Sequence, residues 1–123
     1  MKTDNQGSDH QKGEEMVSRW LAKYNQNIGL ENILRESLKA LAKEIEWLRK
    51  TVGQHQYDVA MKIVNEMKIF PAGFSLTELY EGINRIELAI QLNPENQQII
   101  EDEISALKSI LDIIPARFFS NDS

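Results

Sequence analysis

One stripe constrains this chain more than anything else in it. Leu34, Leu38, Leu41, Ile45, Leu48 and Val52 recur at alternating steps of four and three residues. That spacing aligns all six on one side of an α-helix and turns the stripe toward a partner helix. Arg35, Glu36, Lys39, Lys43, Glu46, Arg49 and Lys50 fall mainly outside it. Gly53 follows as the expected stop, in the left-handed conformation that commonly closes a helix. A helix of roughly 20 residues, about 30 Å long, needs other apolar faces around it, and the rest of the chain supplies them.

Upstream, Met16, Val17, Trp20, Leu21 and Tyr24 sit at helical spacing behind the acidic pair Glu14 and Glu15, which suits a helix N-terminus. This first helix is read as ending near Asn25 to Gly29. Residues Met1 to Gly13 hold almost no apolar side chain, so they are expected to form a disordered arm. Downstream, a third helix over Gln54 to Lys68 presents Tyr57, Ala60, Met61, Val64 and Met67. Ile69 to Gly73 should break it, because Pro71 cannot continue the hydrogen-bond ladder. Ser75 and Glu78 have capping-box spacing ahead of a fourth helix with Leu76, Leu79, Tyr80, Ile83, Ile86 and Ile90 inward and Leu88 at the side of that stripe. Asn93-Pro94 reads as the N-cap and first residue of a fifth helix. Its stripe is Ile100, Ile104, Leu107, Leu111 and Ile114, and Pro115 stops it. Residues Ser120 to Ser123 are expected to fray.

No segment alternates with the period of a strand. The expectation is therefore an all-α, single-domain, antiparallel bundle of about five helices over residues 14–119, since short links force consecutive helices to run back along one another. With 123 residues and 41% hydrophobic residues, the chain is long enough for one core and short for two.

Composition excludes several kinds of function. There is no Cys, hence no disulfide and no thiolate metal site. No apolar run is long enough for a membrane span or a signal-peptide core, so the cytoplasm is the expected compartment. A net charge of −5 argues against nucleic acid and anionic membrane as partners, because both are held by cations. Helix two offers Arg35, Lys39, Lys43, Arg49 and Lys50 to RNA, but Glu31, Glu36, Glu44 and Glu46 interrupt them, as on a solvated, ion-paired face.

Catalytic and metal chemistry find little to use. The only histidines are His10, in the expected arm, and His55, at a helix start. No phosphate loop, Ser/His/Asp set or two-His metal motif occurs. Glu101, Asp102 and Glu103 are consecutive, so on a helix they point about 100° apart and do not converge on a cation. The reading is a protein that is not an enzyme and needs no cofactor or metal.

Charge is distributed unevenly. Met1 to Phe74 holds 11 basic and 10 acidic residues, net +1, whereas Ser75 to Ser123 holds 3 basic and 9 acidic, net −6. The negative surplus belongs to the last two helices and their flanks, and a field of that kind steers a basic partner. Candidate contacts are Glu78, Glu81, Glu95, Glu101, Asp102 and Glu103, with Tyr80 or Trp47 as aromatic anchors. Trp20, by contrast, reads as core.

From helix three onward the chain resembles the small helical immunity proteins of contact-dependent and polymorphic bacterial toxin systems. The resemblance lies in Gln56-Tyr57-Asp58-Val59-Ala60, in Phe74-Ser75-Leu76 leading into Leu79 and Ile83, and in Leu92-Asn93-Pro94. It implies an inhibitor that binds a cognate toxin domain in the cytoplasm and blocks its active site. It transfers no site residue, because those proteins share no catalytic motif. A toxin that cleaves nucleic acid presents a positive cleft, which an acidic surface can occupy. The alternative is a homo-oligomeric structural or adaptor protein, a homodimer among them, whose heptad-like stripes in helices two and five are seams between chains.

Overall fold

The computed structural model describes the backbone of residues 2–23 and 28–119 and the side chains of 11–23, 29 and 31–119. Among the described residues there is no strand. The helices are α1 (Lys2–Ala22), α2 (Ile28–Gly53), α3 (Tyr57–Met67), the single-turn α4 (Ile69–Gly73), α5 (Thr77–Leu92) and α6 (Gln97–Asp112), followed by a 3-10 turn, Ala116–Phe118. The all-α bundle expected from periodicity is what the chain forms.

Four helices close a ring. α2 packs on α3, α3 on α5, α5 on α6, and α6 back on α2. Because each is joined to the next by a short connection, the ring is an up-down-up-down bundle. Its interior holds the four-three stripe of α2: Leu34, Leu38, Leu41, Ile45, Leu48 and Val52 are all buried, in one core with Ile83 and Ile86 of α5 and Ile100, Ile104 and Leu107 of α6. The α2 and α6 stripes are thus consumed within the chain. A contact between copies would have to use other faces.

α1 closes one end of the ring. Met16, Val17 and Trp20 are buried, and the Trp20 indole N–H donates to Glu78 Oε1 at 3.2 Å. Arg19 pairs with the same carboxylate at 2.8 Å, and Lys23 Nζ donates to the Ser75 carbonyl at 3.0 Å. Further along, Glu14 pairs with Arg117. The helix therefore crosses from the C-terminal end of α6 to the start of α5. It begins at Lys2 rather than near Glu14, so it takes in residues 2–13, which the sequence reading left without structure. Helical hydrogen bonds along that stretch need no buried partner, and no proline interrupts them. Burial begins at Gly13, where the backbones touch: a Cβ built there would lie 1.5 Å from the Ile113 carbonyl oxygen. α1 ends at Ala22, short of the expected Asn25 to Gly29, and Ile28 and Gly29 already belong to α2; Tyr24 and the frayed tail Ser120 to Ser123 lie outside the described residues.

The helix ends differ from those the local sequence predicts. α2 does end at Gly53, but the left-handed residue is His55, with φ 58°. The amide of Gln56 donates to Thr51 and that of His55 to Val52, the paired bonds of a Schellman motif. The same motif recurs twenty residues on, with Ser75 at φ 56°, Leu76 donating to Pro71 and Ser75 to Ala72. Ser75 therefore ends α4 instead of capping α5. Leu76 occupies the N-cap without a side-chain bond, and Glu78 turns to Trp20 and Arg19. Pro71 does not break the chain into coil, since it lies in the first turn of α4, where its missing N–H would have had no partner. Asn93 and Pro94 open a turn closed by Asn96 N–H on Asn93 O, with proline at its favoured second position. Asn96 is the N-cap of α6 and accepts from Ile99 N–H at 3.2 Å. Ile63 joins Ala60, Val64 and Met67 in the core, whereas Tyr57 and Met61 are only partly buried. α6 ends at Asp112, before Pro115 is reached.

Gly53 has negative φ and nothing within 4 Å of an added Cβ, so Gly53→Ala should stabilise by about 0.5–1 kcal/mol through helix propensity alone. His55→Gly should be neutral or stabilising, because it relieves a left-handed L-residue. Urea unfolding of the two variants checks both signs.

Candidate partner-binding face

Helical geometry splits the eight candidate contact residues. On α5, Leu79, Ile83, Ile86 and Ile90 face the core, so Glu81, Arg85, Leu88 and Leu92 lie on the opposite side. On α6, Glu103 faces α5, since its Oε1 lies 3.6 Å from Arg85 Nε. Asp102 points outward one step before it, and Ile99 lies one turn back on the α5 side. The outer surface of α5 and α6 therefore carries Glu81, Asp102 and Glu103 on the same side as an apolar patch of Leu88, Leu92 and Ile99, which are 45%, 71% and 38% exposed, and Glu95 is exposed in the connection between the two helices.

The other four candidates lie elsewhere. Glu78 is bound to Arg19 and Trp20 of α1. Burial pushes its carboxyl up, but hydrogen bonds from its own backbone, Arg19 and Trp20 outweigh this and hold it below the ordinary value. Glu101 is two residues, about 200°, from Glu103 and so faces away from α5; Gln97 Nε2 donates to it at 2.6 Å. Tyr80 lies on the α3–α4 side of α5, its ring centroid 5.9 Å from Lys68 Nζ, and Lys68 also pairs with Glu87. Trp47 is 57% exposed on the outer face of α2, which is diagonal to α5 in the ring. Trp47 and the acidic patch do not share a surface.

The apolar centre of this face is made of residues that are not among the eight candidates. Leu88 and Leu92 follow one another at i and i+4 but outside the core stripe, and Ile99 lies one residue before the buried Ile100. Apolar residues one turn apart on the polar side of an amphipathic helix were the available signal. α5 and α6 contain two cations, Arg85 and Lys108. Lys108 lines a separate groove of about 380 Å³ between α2 and α6, with Ile45, Leu111 and Phe119, which leaves Arg85 as the cation of the outer face.

A second electrostatic feature lies between α2 and α3. Desolvation, then the neighbouring Glu66 carboxylate, raises the Glu44 pKa above its ordinary value. A carboxyl that binds its proton more tightly when folded costs stability at neutral pH. That cost disappears as pH falls through the raised pKa. Glu66→Gln should therefore stabilise the protein at pH 7 by about 0.5 kcal/mol, limited by solvent screening, with the gain shrinking toward pH 4. Thermal unfolding at pH 7 and pH 4, in low and high salt, measures it.

His55 is exposed, and its Nδ1 lies 3.2 Å from the Tyr57 hydroxyl. Among the described residues, no group of three or more acidic or His side chains is placed to hold a metal ion, and no helix is long and apolar enough to cross a membrane. No protein-family model, curated protein or solved structure matches the chain.

Proposed function

We propose that this all-α bundle is a non-catalytic binding module that captures a basic protein through the outer face of α5 and α6. Its most specific form is an immunity protein that blocks a cognate toxin in the cytoplasm. The observation that carries this reading is the apolar patch Leu88, Leu92 and Ile99 on a face that also exposes Glu81 and Asp102, with Glu95 exposed in the connection between the two helices. An apolar centre with a charged rim is the anatomy of a protein-binding surface. The sign of the rim selects the partner: Lys- and Arg-rich surfaces are drawn in, and nucleic acid and anionic lipid are repelled. A nuclease cleft, lined with cations for phosphate, has the matching charge.

Immunity proteins are encoded beside their toxins, so the product of the adjacent reading frame is the partner to test. Co-expression should yield a stable complex and protect cells from that product. Protection should be lost when Glu81, Glu95 and Asp102 are replaced together by Lys. Full protection by that variant would overturn the assignment of the face.

A further inference from the structure

The α5–α6 face contains a groove of about 230 Å³ lined by Arg85, Leu88, Leu92, Ile99 and Glu103, among others. Its two ends differ. Leu88, Leu92 and Ile99 make one end apolar. At the other, Arg85 Nε stands 3.6 Å from Glu103 Oε1, with the two side chains 50% and 33% exposed. An ion pair that long and that wet is weak and easily exchanged. Ile99 and Glu103 are one helical turn apart, about 6 Å.

We infer that this groove seats one aliphatic or aromatic side chain of a partner against Leu88, Leu92 and Ile99. A Lys or Arg four residues away on the same partner helix then takes Glu103 from Arg85. The inference rests on the acidic-face reading and names the partner's chemistry: an amphipathic helical segment with an apolar residue and a cation one turn apart. Arg85 is the internal competitor. It occupies Glu103 in the free protein and is released to solvent when the partner's cation arrives, so it holds affinity below what the groove alone would give. A second copy of this chain is a poor occupant, because it would bring Glu81, Glu95 and Asp102 against their own counterparts.

The test uses the full chain and a synthetic helix-forming peptide bearing Leu and Lys at i and i+4, labelled for fluorescence anisotropy. Two control peptides replace Leu by Ser or Lys by Gln. Wild-type protein should bind the parent peptide in a salt-sensitive manner and bind each control at least about fivefold more weakly. Leu92→Ser and Glu103→Gln should each weaken binding by about fivefold or more. Arg85→Gln should tighten it by about two- to fivefold, an effect that generic loss of a surface cation from a mere scaffold would not produce at high salt. All three positions are partly or largely exposed, so each variant should keep the helical circular-dichroism spectrum of the wild type. If the peptide binds but these three substitutions leave affinity unchanged, or Arg85→Gln weakens it, the groove assignment is overturned while the acidic-face reading stands. Absence of binding to the parent peptide also overturns the groove. The adjacent-frame complex then decides the acidic-face reading independently.

Discussion

Phe118→Ala is expected to destabilise the protein by about 3–5 kcal/mol, the range for deleting a buried aromatic ring. Phe118 is fully buried, although it belongs to a three-residue turn beyond the last helix. That turn packs on α2, and the Arg117 guanidinium lies 4.9 Å from the ring while pairing with Glu14 of α1. The ring is therefore a plug at the end of the bundle where α1, α2 and α6 meet. A loss of that size is a large share of the roughly 5–15 kcal/mol typical of a whole domain, so the variant should unfold at much lower urea with an unchanged slope. A loss below about 1 kcal/mol would mean that the C-terminal turn does not belong to the core.

Gly13→Ala is expected to have an effect of similar size, by a different route. The added methyl would lie 1.5 Å from the Ile113 carbonyl oxygen, and a backbone oxygen at a helix end has little room to retreat. α1 must lift. The cost is at least that of overpacking, about 1–3 kcal/mol, together with the lost burial of Met16, Val17 and Trp20. The ring of α2, α3, α5 and α6 keeps its own contacts, so the damage should be local. Trp20 is 2% exposed and reports on it directly: with Trp47→Phe as background, its emission should shift to the red while most helical ellipticity survives. Gly82 is the contrasting control. Its added Cβ would meet the flexible end of Leu107 at 2.9 Å, so Gly82→Ala should be tolerated far better.

Both residues show where sequence pattern was informative and where it was not. The stripes of α2, α5 and α6 were legible because each is long enough for the four-three step to repeat, and burial of one face over several turns leaves few other solutions. Phe118 gave no such signal, since an isolated aromatic after a proline has no periodicity. Gly13 closes a segment almost without apolar side chains, and a glycine there gives no hint that another backbone will pass against it. The helix ends failed for a related reason. Ser75 and Glu78 have the right types and spacing for a capping box, but Ser75 was needed at the left-handed end of α4 and Glu78 by Trp20, 58 residues away. Competition from tertiary contacts cannot be read locally.

The candidate face was legible in its charge and not in its geometry. Counting carboxylates located it on α5 and α6, but a count treats Glu101, Asp102 and Glu103 alike. The helix sends Glu103 toward Arg85, Asp102 outward and Glu101 away from α5. The exposed apolar centre became visible only once burial separated Leu88, Leu92 and Ile99 from the neighbouring core residues Ala89, Ile90 and Ile100.

On the proposed reading, this face draws in a basic protein by its negative field and holds it at an apolar centre. Stopped-flow association with the product of the adjacent reading frame, across a series of salt concentrations, is the decisive test. The wild-type rate constant should fall steeply with ionic strength, and replacing Glu81, Glu95 and Asp102 by neutral amides should lower it about tenfold or more at low salt and flatten the dependence. Equal rates for the two proteins at every salt concentration would contradict the account.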